Sequence, residues 1–140
     1  MSTAEIIKSI KRCIDNGGYI FVCGNGGSSA ETDHMVSEFV THGISAISLC
    51  NASTITAIAN DYSYDQVFSI QLDTLAKRGD VLIGISTSGK SKNIIRAHKE
   101  ARELGMEVID WPRKGKDTAE IQENQLKLMH KVYKKLMWKL

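Results

Sequence analysis

The order of apolar segments predicts an α/β fold, a three-layer α/β/α sandwich around a mostly parallel sheet. Four short runs rich in β-branched residues alternate along the chain with stretches of helical periodicity. Two of these runs lead directly into turns of glycine and serine, which is typical of parallel sheets that bind ligands at the carboxyl ends of their strands. No repeat, linker or low-complexity tract divides the 140 residues, so we expect one domain, residues 1–140.

The first half of the chain carries clear start and stop signals. Ser2 and Glu5 form a capping-box pattern before an apolar stripe, and the sequence Asn-Gly-Gly at 16–18 ends it, so a first helix is predicted over 3–16. The predicted elements that follow are a strand at 19–23, a helix at 29–41, a strand at 44–49 and a helix at 53–60.

The second half continues the alternation. The spacing of Val67, Ile70, Leu72 and Leu75 predicts a helix over 63–77. The remaining predicted elements are a strand at 80–85, a helix at 91–104, a strand at 106–110 and a long helix at 117–138.

Composition excludes several classes of protein. With 18 basic and 16 acidic residues the net charge is +2, so we expect no nucleic-acid partner. Cys13, Cys23 and Cys50 are too few and too scattered for a disulfide framework. No apolar run approaches membrane-spanning length and the N-terminus lacks a signal-peptide layout, so we expect no membrane association and a cytoplasmic location.

The two turns carry the strongest functional signal. The glycine turn, residues 24–29, reads Gly-Asn-Gly-Gly-Ser-Ser, and the serine turn, residues 86–91, reads Ser-Thr-Ser-Gly-Lys-Ser. Backbone amides at a helix start, together with serine hydroxyls, favour an anion such as phosphate. Neither spacing fits a dinucleotide or P-loop signature. A small phosphorylated metabolite is therefore the expected ligand.

Polar side chains on two predicted helices suggest further chemistry. His34 and Glu38 are four residues apart, so they share a helix face and are able to meet a common metal or substrate, although such a pair is also common on surfaces. Gln122 and His130 are eight residues apart, about 12 Å along one helix. If these two serve one site, they are expected to come from two copies of the chain. Asp61 follows a predicted helix, where a turn role and a contact with a substrate hydroxyl both remain open.

These motifs resemble the phosphoheptose isomerases of the sugar-isomerase (SIS) domain superfamily. The resemblance runs in order through nearly the whole chain. It is carried by residues 23–30, His34 with Glu38, residues 55–62, 64–69 and 79–91, and Ile121-Gln122-Glu123 with His130.

The resemblance implies an isomerase that converts sedoheptulose 7-phosphate to D-glycero-D-manno-heptose 7-phosphate through an enediol. It implies catalysis by Glu38 and His130 and assembly as a homotetramer. The implied substrate contacts are Asn25, Gly26, Gly27, Ser28, Asp61 and Gln122, with a phosphate cradle of Ser86, Thr87, Ser88 and Ser91. In some members zinc is held by residues that match His34, Glu38, Gln122 and His130, a donor set that suits this metal.

Departures from the family pattern leave two other interpretations open. The segment 105–118 is contracted, and His42, Glu120 and Gln125 stand where the family has other residues. A non-catalytic SIS protein that binds a sugar phosphate or a protein partner is the main alternative, although Ser88 and His130 argue against it. The other is a domain that works only within a larger assembly.

Overall fold

The computed structural model describes residues 1–137 of the chain. The helices are α1 Thr3–Asp15, α2 Gly27–Thr41, α3 Ala52–Asp61, α4 Ser69–Leu75, α5 Lys92–Glu103 and α6 Thr118–Met137. The strands are β1 Ile20–Gly24, β2 Ala46–Ser48, β3 Val81–Ile85 and β4 Glu107–Asp110. The predicted alternation is confirmed, and the predicted end of the last helix, residue 138, lies outside the described residues.

The four strands form one parallel sheet in the order β2-β1-β3-β4. Strands β1 and β3 lie at its centre, paired in register from Ile20 opposite Val81 to Gly24 opposite Ile85. Both central strands are buried along their whole length. The turns that follow them therefore emerge side by side at the carboxyl edge of the sheet, as the sequence predicts.

Helices cover both faces of the sheet, which gives the predicted three layers. On one face, side chains of α1, α2 and α6 pack with Val22, Ile83 and the fully buried Trp111. On the other face, side chains of α3, α4 and α5 pack with Phe21 and Leu82. Alternate residues of β1 and β3 thus point to opposite cores. Among the helices of residues 1–137, none combines membrane-spanning length with the hydropathy that lipid requires.

The predicted helix over 63–77 is wrong as a single element. Residues Tyr64–Gln66 form a 3-10 turn, and α4 begins only at Ser69. Val67 and Phe68, between the two, are both fully buried. The bend directs these adjacent side chains into the same core, whereas a straight helix would rotate them about 100° apart.

The predicted strand at 44–49 is shorter in the structure, because β2 is an edge strand that pairs with β1 alone through three residues. At its end the Ser48 hydroxyl donates to Asp33 Oδ1 at 2.7 Å and accepts from the Cys50 amide at 3.1 Å. These two bonds turn the chain out of the sheet toward α3.

The capping box predicted at the start of α1 is confirmed, since Ser2 and Glu5 each bond the other's backbone amide. All three cysteines, Cys13, Cys23 and Cys50, are free thiols. Burial raises the pKa of the Cys23 thiol well above its usual value. These observations agree with cysteines that serve as small apolar side chains.

Candidate active site

A pair of asparagines joins the glycine turn to the start of α5, the helix that follows the serine turn, at the carboxyl edge of the sheet. Asn25 of the glycine turn donates to Asn93 Oδ1 at 2.8 Å, and Asn93 donates back to Asn25 Oδ1 at 2.9 Å. The Tyr64 hydroxyl donates a second bond to Asn25 Oδ1 at 3.0 Å. Both lone pairs of Asn25 Oδ1 are therefore occupied, and the side chain keeps one N–H for a ligand.

Close backbone approach shapes the glycine turn. Gly26 has φ of +56°, a conformation that glycine adopts without strain, and it precedes the first residue of α2. A Cβ at Gly27 would overlap the side-chain amide of Gln122 on α6. Ser28 is buried, and its backbone amide donates to the Asn25 carbonyl at 2.9 Å. The predicted residues of this turn thus lie together at the positive end of α2.

Hydroxyl groups converge in the serine turn. The Ser86 Oγ atom lies 3.4 Å from both Ser88 Oγ and Ser91 Oγ. The Gly89 amide donates to Ser86 Oγ and the Lys90 amide to Ser88 Oγ, each at 3.0 Å. These amides and hydroxyls bond one another, and groups of this kind also bind phosphate oxygens.

Helix α6 and the contracted segment support the serine turn from behind. Gln125 is fully buried and donates to the Ser86 carbonyl at 3.3 Å, while Trp111 donates to the Gln125 carbonyl at 3.2 Å. The Arg113 guanidinium lies against Gly89 and forms two bonds to Asp110 at 2.7 and 2.9 Å. Residues that depart from the family pattern thus hold this turn in place.

The predicted catalytic and metal-binding side chains meet where α2 crosses α6. His34 Nε2 lies 3.2 Å from His130 Nε2 and 3.9 Å from Glu38 Oε1. The two imidazoles stand nearly perpendicular, with ring centroids 5.5 Å apart. The His34 side chain is 43% exposed and that of Glu38 is 28% exposed, so this group is open to a ligand from solvent.

A second pair joins His42, the residue after the end of α2, to Tyr133, about one turn beyond His130 on α6. Tyr133 Oη is 2.8 Å from His42 Nε2, and the two rings form an edge-to-face contact with centroids 4.9 Å apart. His42 Nδ1 is 2.8 Å from the Glu38 carbonyl oxygen. Burial first, then the adjacent Glu38 carboxylate, raises the pKa of the Tyr133 phenol, so its hydroxyl stays protonated at neutral pH.

Two of the predicted site residues lie apart from the His34–Glu38–His130 group within one chain. Gln122 contacts Gly27 at the start of α2, about two turns before the contact of His130 with His34. This separation agrees with the helix spacing predicted from the sequence. Asp61 ends α3, is exposed, and accepts a bond from its neighbour Asn60 at 3.0 Å.

The donor set fits zinc only in part. Two nitrogen ligands on one tetrahedral zinc lie about 3.3 Å apart, given the usual Zn–N distance. The separation of 3.2 Å between His34 and His130 matches this value, whereas Glu38 needs a rotamer change to approach. As arranged, no three His, Cys, Asp or Glu side chains within residues 1–137 are placed to hold a metal ion.

Sequence reasoning missed two titratable groups near the site, the partly buried Glu31 and the buried His98. Burial raises the pKa of the Glu31 carboxyl, on the same face of α2 as His34, to about 7, and its Oε2 atom is buried without a partner. His98 of α5 packs its imidazole against Gly84 in β3, and burial lowers its pKa. The one sequence signal for Glu31 is its spacing, four residues after Gly27 and three before His34, which places it on the same helix face as both.

Comparison with known proteins gives concordant matches. A probable phosphoheptose isomerase of Thermoplasma acidophilum is 50% identical over 111 residues, 74% of this chain and 61% of that protein. A phosphoheptose isomerase of Helicobacter pylori is 47% identical over 103 residues, 69% of this chain and 54% of that protein. The solved phosphoheptose isomerase of Neisseria gonorrhoeae superposes with a TM-score of 0.93 at 37% identity, covering 96% of this chain and 84% of that one.

The matched region thus spans little more than half the length of these curated relatives. A family model described as SIS domain matches residues 2–110, from the capping box of α1 to the last residue of β4. That range contains both turns, His34 and Glu38. The chain belongs to the SIS domain family.

Proposed function

We propose that the chain is an aldose–ketose isomerase of a phosphorylated heptose, which converts sedoheptulose 7-phosphate to D-glycero-D-manno-heptose 7-phosphate. The observation that carries the proposal is the meeting of Glu38 with His34 and His130 beside two turns suited to an anion. The names of the relatives agree with this activity. The chain spans only part of those relatives' length, so the activity requires a direct test.

The reaction moves a carbonyl between two neighbouring carbon atoms. Glu38 removes the proton from the carbon beside the carbonyl, and the electron pair of that C–H bond forms the double bond of an enediol. His130 exchanges the proton of the neighbouring oxygen, a task that suits imidazole near neutral pH. Return of the proton to the other carbon completes the isomerisation. The Glu38 side chain is 28% exposed and His130 is partly exposed, so a substrate has access to both.

The serine turn would hold the phosphate of the substrate. The Ser86 hydroxyl lies within hydrogen-bonding range of the hydroxyls of Ser88 and Ser91, and Thr87 lies between Ser86 and Ser88 in the sequence. The glycine turn supplies one free N–H of Asn25 and the positive end of α2. Such contacts bind the non-reacting end of the sugar and so orient its carbonyl toward the catalytic pair.

We also propose that zinc binds His34, Glu38 and His130, with Gln122 as a further ligand. When bound, zinc would polarise the carbonyl oxygen of the substrate instead, and the roles of Glu38 and His130 as free base and acid would then be revised. The match of the His34–His130 spacing to tetrahedral zinc supports this proposal. Metal analysis of purified protein tests it: we expect about one zinc per chain, lost in His34→Ala. Absence of zinc from wild-type protein that has been supplied with the metal would contradict it.

We propose a homotetramer whose sites draw residues from more than one chain. The separate contacts of Gln122 and His130 on α2 support this, because one chain alone does not bring them together. Sedimentation at several concentrations measures the assembly. Mixing the inactive variants Gln122→Ala and His130→Ala tests the shared site: recovery of activity supports it, and a fully active monomer would refute it. Because charge retains phosphorylated sugars inside cells, we place the reaction in the cytoplasm.

The deciding experiment is incubation of the purified chain with sedoheptulose 7-phosphate, followed by an assay for the aldose. Wild-type protein should form it, whereas Glu38→Gln and His130→Ala should bind the ligand with little turnover. Binding without turnover by the wild type would favour the alternative, a non-catalytic SIS protein that binds sugar phosphates. A wild-type protein that shows no binding and no turnover would reject both functions.

A further inference from the structure

The double hydrogen bond between Asn25 and Asn93 does not by itself determine which end of the Asn25 amide stays free. Each side chain donates one N–H to the oxygen of the other, at 2.8 and 2.9 Å. If both amides rotate by half a turn, their oxygen and nitrogen atoms exchange places and two bonds of the same kind form again. One arrangement leaves an N–H of Asn25 for a ligand, and the other leaves a lone pair of its oxygen.

The Tyr64 hydroxyl makes these two arrangements unequal. It donates to Asn25 Oδ1 at 3.0 Å, across 39 positions of the chain. With this bond Oδ1 accepts from both Tyr64 and Asn93, and the free group of Asn25 is an N–H. In the reverse arrangement the Asn25 nitrogen would face the phenol, and the phenol proton would lose its amide acceptor. Donation by Tyr64 therefore selects the arrangement with a free N–H.

The bend between α3 and α4 places Tyr64 beside the glycine turn. Tyr64 is the first residue of the 3-10 turn, which is braced by a bond from the Ser63 hydroxyl to Gln66 Oε1 at 3.0 Å. Tyr64 is 55% exposed, whereas Asn93 is buried and Asn25 is partly buried. The Tyr64 ring thus contributes little to the core. Its hydroxyl bond to the amide pair is better explained by the orientation of Asn25 than by packing.

The polarity of the free group decides which atoms of a sugar phosphate Asn25 is able to bind. Carbonyl and phosphate oxygens only accept hydrogen bonds, so they require an N–H, whereas a hydroxyl group is able to bind either end of an amide. Asn25 directly precedes Gly26, the N-cap of α2, whose positive end also favours oxygen atoms that carry negative charge. A free N–H at Asn25 and the start of α2 therefore suit the same kind of ligand atom.

We propose that Tyr64 is a positioning residue, which holds the Asn25 amide so that its free N–H binds an acceptor oxygen of the substrate. The proposal rests on the sugar-phosphate isomerase function given above. Within residues 1–137 the Tyr64 hydroxyl bonds Asn25, and it bonds neither Glu38 nor His130. Loss of this hydroxyl should therefore affect substrate binding more than proton transfer.

Calorimetric binding of sedoheptulose 7-phosphate to Tyr64→Phe tests the proposal, together with steady-state kinetics. This variant keeps the ring and removes the hydroxyl. One net hydrogen bond corresponds to about two- to tenfold in an equilibrium constant, so we expect Kd and KM to rise by that factor. We expect kcat to change by less than about twofold. Tyr19→Phe is the matched control, because Tyr19 is 46% exposed and lies just before β1, at the opposite edge of the sheet.

Asn25→Asp shows whether Tyr64 acts through the orientation of this amide. Both ends of a carboxylate accept hydrogen bonds, so neither orientation offers an N–H to the ligand. We expect Asn25→Asp to bind the sugar phosphate more weakly than Tyr64→Phe does. Adding Tyr64→Phe to Asn25→Asp should weaken binding no further, because the orientation no longer matters. An equal loss from Tyr64→Phe in both backgrounds would overturn the proposal.

NMR of the Asn25 side-chain amide provides a readout that does not depend on turnover. We expect sedoheptulose 7-phosphate to shift one N–H resonance of Asn25 in the wild type, and to shift it less in Tyr64→Phe. A ligand that binds and leaves both N–H resonances in place would overturn the proposal. So would a Tyr64→Phe variant that is less stable but has an unchanged Kd. If the wild type neither binds nor converts the heptose phosphate, the proposed function fails and the positioning role fails with it.

Discussion

The side-chain amides of Asn25 in the glycine turn and Asn93 at the start of α5 bond each other twice, at 2.8 and 2.9 Å. The two residues are 68 positions apart, and each satisfies one donor and one acceptor of its partner. Asn93 is 2% exposed, so water has little access to replace a lost bond. The pair therefore ties the glycine turn to the helix that follows the serine turn.

Asn93→Ala should destabilise the protein. Loss of the amide removes two of the three side-chain hydrogen bonds of Asn25 and leaves its N–H groups without a protein acceptor, which costs about 1–3 kcal/mol of unfolding free energy. Urea unfolding measures the change. Asn60→Ala is the control, because Asn60 bonds only its exposed neighbour Asp61. Equal stability of Asn93→Ala and the control would show that the reciprocal bonds contribute nothing.

Adding a methyl group at Gly84 should destabilise the protein as much as an overpacking substitution in the core. The Cβ of alanine at this position would overlap the buried His98 ring, although the backbone conformation accepts alanine. Gly84→Ala should therefore lower the unfolding free energy by about 1–3 kcal/mol. The same change in a His98→Ala background should cost much less, since the ring is gone. Equal costs in the two backgrounds would place the strain elsewhere.

Alternation of apolar runs and turn residues was sufficient to predict the fold. Each of the four strands appears within two residues of its predicted bounds, because β-branched runs bounded by glycine or polar residues suit buried parallel strands. The error at 63–77 arose because two adjacent side chains, Val67 and Phe68, are buried together, which periodicity alone does not reveal.

The part of the site that could not be predicted consists of contacts between residues far apart in the sequence. The order of the strands brings the two turns together, and this follows from general rules for parallel sheets. The contacts of His34 with His130 and of His42 with Tyr133 depend on how α2 and α6 pack. Spacing within one helix indicates on which face of that helix a residue lies. It does not indicate which face of another helix packs against it.

Replacing Ser86 and Ser88 together by alanine should weaken binding of the sugar phosphate. The change removes two hydroxyls, and hydrogen bonds to charged groups are each worth about 1.5–3 kcal/mol, so we expect KM to rise at least tenfold. Ser37→Ala is the control, because its hydroxyl bonds only the carbonyl of His34 in its own helix. Unchanged affinity in a folded double variant would remove the serine turn as the phosphate site.

Glu31→Gln should stabilise the protein at alkaline pH and not at acid pH. Burial raises the pKa of this carboxyl from 4.5 to about 7, so the folded chain holds the proton more tightly than the unfolded chain. The resulting stabilisation is complete below pH 4.5 and is lost as pH rises through about 7. Above that range the Glu31 carboxylate is charged and its buried Oε2 atom has no hydrogen-bond partner, whereas glutamine at this position carries no charge.

Because Glu31 is partly exposed, solvent screens its charge and reduces the destabilisation. We therefore expect Glu31→Gln to raise the unfolding free energy by about 1 kcal/mol at pH 8 and not to change it at pH 4. Thermal unfolding at the two pH values measures it. Glu123→Gln, which replaces an exposed carboxylate on α6, is the matched control and should show no such difference. A gain of equal size at both pH values would mean that Glu31 affects stability through packing and not through its charge.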